Sequence, residues 1–145
     1  MQTPHMVLLF GHDDLLLWTR RSIFERAGYR ACVASEFRDV VRLSEEQHCE
    51  LLVLCHTVSG LESTAALMEM RRRSQAIRSL MLLKPGGCCG AESLANQTMD
   101  ALDGPEALLA AAGIVLDGKV EGPDERTTKE KKADRRRRSN GRYVN

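Results

Sequence analysis

Three short runs of the chain contain no charged or hydrogen-bonding side chain: Met6 to Phe10 (MVLLF), Leu51 to Cys55 (LLVLC) and Leu80 to Leu83 (LMLL). Runs of this length that are apolar on both alternating faces suit strands of a parallel sheet with helices covering each side. The segments between them carry the other period. From about Leu15 to Ala27, Leu16, Ile23, Phe24 and Ala27 recur at helical spacing, while Arg20, Arg21, Glu25 and Arg26 fill much of the opposite side. Asp13 or Asp14 can cap this helix and Gly28 is a stop signal. Tyr29 to Ala34 alternates as a strand with one polar face. Ser35 precedes a second helix, about Glu36 to Gln47, with Phe37, Val40, Val41 and Leu43 inward. Thr57 to Gly60 is a loop. A third helix, Glu62 to Arg73, ends on Arg71 to Arg73, where the helix dipole favours cations.

After Leu83 the chain breaks at Lys84-Pro85-Gly86-Gly87 and the pattern weakens. Gly90 to Gln97 has the makings of a short helix, and Thr98 to Leu102 those of a poor strand. Pro105 then opens a clear helix, PEALLAAAGIVL, with proline in its first turn. Strands and helices in alternation predict an α/β fold: a mainly parallel five-stranded sheet, helices on both faces, right-handed crossovers and a weak fifth strand. In such sheets the functional crevice lies at the carboxyl ends of the strands. Gly11 to Asp14, Cys55 to Ser59 and Lys84 to Gly87 are thereby placed around one rim.

Composition adds a boundary. Residues 1–116 have an apolar content sufficient for one domain; residues 117–145 are polar, with ten Lys/Arg against six Asp/Glu, leaving −3 for the first part. The second segment reads as a basic, disordered tail. No stretch approaches the roughly 20 apolar residues of a membrane span, and the N-terminus lacks the basic start of a signal peptide. A cytoplasmic protein with reduced thiols is expected, its five cysteines serving mostly as core fillers.

With these elements in order, "VLLFGHDDLLL", "IFERAGYRACVAS", "ELLVLCHTVSG" and "DGPEALLAAAG" together resemble the response-regulator receiver domain, the flavodoxin-like phosphoacceptor module of two-component signalling. The resemblance covers about residues 5–116. It implies a site at the rim where an acidic pair and a phosphoacceptor aspartate hold Mg²⁺, a hard cation that wants oxygen ligands. Position by position, the acidic pair falls on Gly11 and His12, with Asp13 one step late, and the phosphoacceptor position is Cys55. The family's Thr/Ser after its fourth strand falls at Leu83 or Lys84, and its Lys-Pro after the fifth at Ala101-Leu102. A thiol cannot form an acyl phosphate, and Gly-His cannot hold Mg²⁺ as two carboxylates do. The resemblance therefore implies a degenerate pseudo-receiver, neither an enzyme nor phosphorylated, needing no cofactor and acting through another signalling protein. Such partners usually dock on the family's fourth helix, fifth strand and fifth helix. Here the fourth helix and fifth strand are the weakest parts of the sequence, which moves the expectation to the first helix.

Other chemistry was weighed on the same residues. His12, Asp13, Cys55 and His56 share the rim, and Asp14 and Lys84 are its neighbours, so a metal or thiol sensor is the alternative there. Asp13 or Asp14 serving as unusual ligands of a working phosphoacceptor is a further alternative. His48-Cys49 and Cys55-His56 look like paired ligands, but the six residues from Cys49 to Cys55 span roughly 20 Å in a strand. Cys88-Cys89 reads as a pair of loop thiols, since adjacent cysteines bridge only under strain. Lys84 to Gly87 is a turn, not a phosphate-binding loop. Arg135, Arg136, Arg137 and Arg138, with Lys129, Lys131 and Lys132 upstream, offer a second function class: weak binding of nucleic acid or an anionic surface by the tail.

Overall fold

The apolar runs become the sheet. The computed structural model of the chain describes residues 4–87 and 90–117. Its order is β1 (Met6–Phe10), α1 (Asp14–Arg26), β2 (Arg30–Ala34), α2 (Phe37–Glu46), β3 (Leu51–Leu54), α3 (Gly60–Arg73), β4 (Arg78–Leu83), a single 3-10 turn (Glu92–Leu94), β5 (Gln97–Asp100) and α4 (Pro105–Asp117). The five strands pair in the order β2-β1-β3-β4-β5, every pair parallel. This is the α/β receiver-like fold expected, with a wholly parallel sheet. The tail with Arg135 to Arg138, and Cys88-Cys89, lie outside the described residues.

Strand parity sorts the core into two layers. Leu8, Phe10, Leu52 and Leu54 face α2 and α3, packing on Val40, Leu43, Leu67 and Met70. Val7, Leu9, Leu51, Val53 and Cys55 face α1 and α4, packing on Leu17, Phe24, Leu108 and Ala112. Cys55 thus continues the odd-numbered face of β3 into the second layer. Its N–H donates to Phe10 O at 2.9 Å, extending the ladder one residue past the strand.

Several expectations are corrected. α1 turns Leu17, Arg20 and Phe24 toward the sheet, so Arg20 lies on the buried stripe and not on the polar side. Phe37, at the first turn of α2, is exposed. The short helix expected over 90–97 is one 3-10 turn, Glu92–Leu94. The fifth strand lies a residue or two earlier than its apolar content indicated. It is held by a polar clasp: Asn96 Oδ1 accepts from Ser79 N at 2.8 Å and Ser79 Oγ at 3.2 Å, and Asn96 N donates to Ser79 Oγ at 3.0 Å. Ser79 is buried, so leaving these groups unpaired would cost about 1–3 kcal/mol. At the end of α1 the stop signal acts as expected: Gly28 adopts φ +98°, a conformation that disfavours a side chain. No helix among the described residues is long and apolar enough to cross a membrane.

Candidate functional site

Parallel strands deliver their carboxyl ends to one rim, and helices begin there. Asp13 caps α1, its Oδ1 accepting from Leu16 N at 3.1 Å. Asp14 follows, exposed, in the first turn. Ser59 caps α3 in a reciprocal capping box with Glu62. This Ser-x-x-Glu spacing is a readable sequence signal. Lys84 N–H lies just past β4, where Gly87 N donates to Lys84 O at 2.8 Å and closes the expected turn. A cleft of about 430 Å³ opens between the β3–α3 connection and the end of β4, lined among others by Cys55, His56, Ser59, Glu62, Ser63 and Lys84.

His12 is fully engaged. Its Nδ1 faces Ser35 O at 2.8 Å and its Nε2 faces both Glu62 carboxylate oxygens at 3.0 Å. Both partners only accept, so a ring protonated on both nitrogens satisfies them together. The Glu62 hydrogen bond accordingly raises the His12 pKa above its ordinary value, and the same bond lowers that of Glu62. A histidine that favours its charged form therefore stands where the resemblance places a carboxylate. With both nitrogens occupied, His12 is unavailable as a metal ligand. Among the described residues no group of three or more His, Cys, Asp or Glu is arranged to hold a metal ion.

Gly11 is the closest approach of β1 to the site. A Cβ built on it would lie 2.9 Å from Cys55 Cβ, 3.2 Å from Cys55 Sγ and 3.1 Å from Thr57 Oγ1. Thr57 Oγ1 also accepts from His12 N at 2.8 Å. Any side chain at position 11, an acidic one included, would have to displace Cys55 or Thr57.

The residue that sequence reasoning missed is Arg20. Helical side chains lean toward the helix N-terminus, and α1 begins at the rim. Arg20 accordingly reaches back toward Cys55, close enough for its charge to act on the thiol. It is only 7% exposed, and its Nη1 is buried without a hydrogen-bond partner. None of the ion pairs among the described residues includes it. Arg20 also lines a small cavity of about 160 Å³ with Leu16, Leu82, Met99 and Ala101. Ala101, where the resemblance expects a lysine, thus lines the same space as Arg20. The signal was present as the spacing Leu17, Arg20, Phe24, a stripe whose middle member happens to be charged.

The remaining rim residues respond to this charge. Burial pushes the Cys55 thiol up, and Arg20 only partly offsets it. At 3% exposure Cys55 is a packed thiol and a poor nucleophile. That removes the physical basis for a reactive thiol at this position. Burial lowers the His56 pKa first, then the charges of Arg20 and Lys84, with Asp13 opposing. Its Nδ1 is buried and unpartnered. The sequence-predicted rim residues are therefore together, with Arg20, Lys84 and His12 set against Asp13, Asp14 and Glu62.

Comparison with known proteins agrees with this fold. No protein-family model matches the chain, and no curated protein matches it. Solved structures do. A CheY-like response regulator receiver domain protein from Methanospirillum hungatei JF-1 has 18% identity and a TM-score of 0.69, covering 79% of this chain and 95% of its own. A response regulator from Chloroflexus aurantiacus has 19% identity and a TM-score of 0.69, covering 79% and 99%. The receiver domain of a sensor histidine kinase from Pseudomonas aeruginosa PAO1, with a magnesium ion coordinated in its active-site cleft, has 14% identity and a TM-score of 0.63, covering 79% and 99%. At these identities the likeness is one of fold.

Proposed function

We propose that this chain is a receiver-fold signalling module that works without phosphorylation, by holding another signalling protein. One observation carries the reading: the strand-end position that needs a carboxylate is Cys55, and a buried guanidinium lies against it. A divalent cation entering this crevice meets Arg20 and Lys84 near the strand end where it needs a carboxylate. Like charges a few ångströms apart in a partly desolvated site repel by several kcal/mol. The cation-for-carboxylate exchange removes the metal and the acyl-phosphate acceptor together, while the sheet and helices that present a docking surface remain.

The connection from β4 to β5 holds only one 3-10 turn among its described residues, which leaves the family's usual docking face incomplete. α1 is the better presented surface. Leu15 and Trp18 are 75% and 56% exposed on it, and the Arg21 guanidinium lies 5.0 Å from the Trp18 ring centroid.

The test uses that tryptophan. Mg²⁺ is titrated with beryllofluoride, a phosphoryl mimic, while Trp18 fluorescence and two-dimensional amide NMR are followed. No saturable change in either is expected. A saturable change requiring both components would overturn the proposal, because it would show a rim that still senses phosphoryl groups.

A further inference from the structure

The functional reading leaves one feature of the α1 layer unexplained: a buried cation without a counter-charge. At 7% exposure, Arg20 has an unpartnered Nη1 and joins no ion pair among the described residues. Buried charges persist where something pairs with them. The carboxylates nearest to it along the chain or at the cavity beside it are engaged elsewhere. Asp13 Oδ1 accepts from Leu16 N at 3.1 Å, Glu25 pairs with Arg21 at 3.1 Å, and Asp100 Oδ1 accepts from Leu102 N at 2.8 Å. Asp14 is exposed in the first turn of α1. The missing anion must come from outside the chain's described residues.

The cavity that Arg20 lines, about 160 Å³, has the shape and chemistry to hold one. Its other walls are apolar: Leu16 and Ile23 of α1, Leu82 of β4, Met99 of β5 and Leu108 of α4. Thr19 and Pro105 line it too and are exposed, so it opens to solvent between α1 and the start of α4. Gly104 and Pro105 bring the N-terminus of that thirteen-residue helix to the opening. Gly104 has no side chain to cap it, and Leu108 N donates to Gly104 O at 3.1 Å. The amides of Glu106 and Ala107 precede that bond and have no carbonyl within the helix, so the positive end of the dipole adds to the charge of Arg20. A cavity of about 150 Å³ takes one benzene ring. The space therefore suits a tail of about six carbons joined to an anionic head. A guanidinium pairs with a carboxylate through two parallel N–H···O bonds. Phosphate or sulfate would turn oxygens onto Leu16, Leu82 and Met99 without partners. Among the described residues only Leu82 lines both this cavity and the β3–α3 cleft, so the two spaces are distinct.

We propose that the cavity between α1 and the start of α4 is a binding site for a small apolar monocarboxylate, whose carboxylate pairs with Arg20 and whose tail lies against Leu16, Leu82, Met99 and Leu108. The bound molecule touches α1, β4, β5 and α4 together. It supplies the counter-charge that the fold withholds from Arg20.

The experiment titrates the full chain with sodium hexanoate at constant ionic strength and follows two-dimensional amide NMR, which also reports that each variant is folded. Saturable shifts are expected, centred on residues 16–23, 99–101 and 104–108. 1-Hexanol has the tail without the charge and inorganic phosphate the charge without the tail. Each should bind at least about tenfold more weakly than hexanoate. Arg20→Met should weaken hexanoate by about tenfold or more and leave 1-hexanol unchanged. Ala101→Leu keeps Arg20 but fills the cavity, and should abolish the saturable shifts. An absence of saturable shifts in the wild type would overturn the proposal. So would equal binding of hexanoate and 1-hexanol, hexanoate binding that survives Arg20→Met, or shifts centred on residues 55–62, which would place the anion in the β3–α3 cleft.

Discussion

Arg20→Met removes one charge from the crevice and keeps most of the side chain's length. In the wild type Arg20 is only 7% exposed, its Nη1 has no partner, and its neighbours in the small cavity include Leu16, Leu82, Met99 and Ala101. A buried donor left unpaired costs about 1–3 kcal/mol, more when charged. Exchanging buried charged groups for apolar side chains of similar size is often neutral or stabilising by about 1–4 kcal/mol. Methionine retains an apolar stem against Leu16, Leu82 and Met99 and removes the charge. The expected result is a gain of about 1–3 kcal/mol, or about 4 °C in Tm per kcal/mol for a domain of this size. Arg20→Ala also loses the stem and leaves a cavity, which should cancel the gain. Urea unfolding followed by Trp18 fluorescence measures both. Destabilisation of Arg20→Met by 1 kcal/mol or more would refute the reasoning, since it would mean that the charge is satisfied by a group that offsets its burial.

Three further outcomes follow from the same rim. Gly11→Ala places a methyl 2.9 Å from Cys55 Cβ and should destabilise by about 1–3 kcal/mol in the same urea assay, as overpacking does; a neutral substitution would mean that Cys55 and Thr57 move aside freely. Cys55→Asp should place its carboxylate against Arg20 and still show no saturable Mg²⁺ binding by calorimetry, because Gly11 and His12 supply no second carboxylate; Mg²⁺ binding by this variant would show that Cys55 alone had removed the metal. Glu62→Gln should lower stability by about 0.5 kcal/mol after discounting for solvent screening of an exposed pair. Its difference from wild type should be greatest between about pH 4.5 and 6.5. His12 has a raised folded pKa, so its contribution is full below 6.5 and is lost as pH rises through the raised value. Glu62 has a lowered one, so its contribution is full above 4.5 and is lost as pH falls through the lowered value. A difference that does not vary with pH would refute the charged pair.

The layers of this protein were legible in the sequence because burial writes a period into the chain. Strands covered on both faces are apolar throughout, as in MVLLF, LLVLC and LMLL, and helices covered on one face repeat near every third or fourth residue. Local chemistry was equally readable: Asp13 at the start of α1, Gly28 at its end, Ser59 and Glu62 three apart. Cys55 just after β3, and Gly11 and His12 just after β1, could also be placed from position alone. What only the tertiary structure decided involves groups that meet across elements. Arg20 reads as polar by its type, yet it is buried because its long side chain leans along α1 into the space beside Cys55. His12 becomes a charged partner through Glu62, fifty residues away, and Ser35. β5 carries too little apolar surface to announce itself, and the Asn96–Ser79 clasp holds it. Periodicity encodes which face of an element is buried; which side chains then find each other depends on the reach and charge of residues that no local pattern relates.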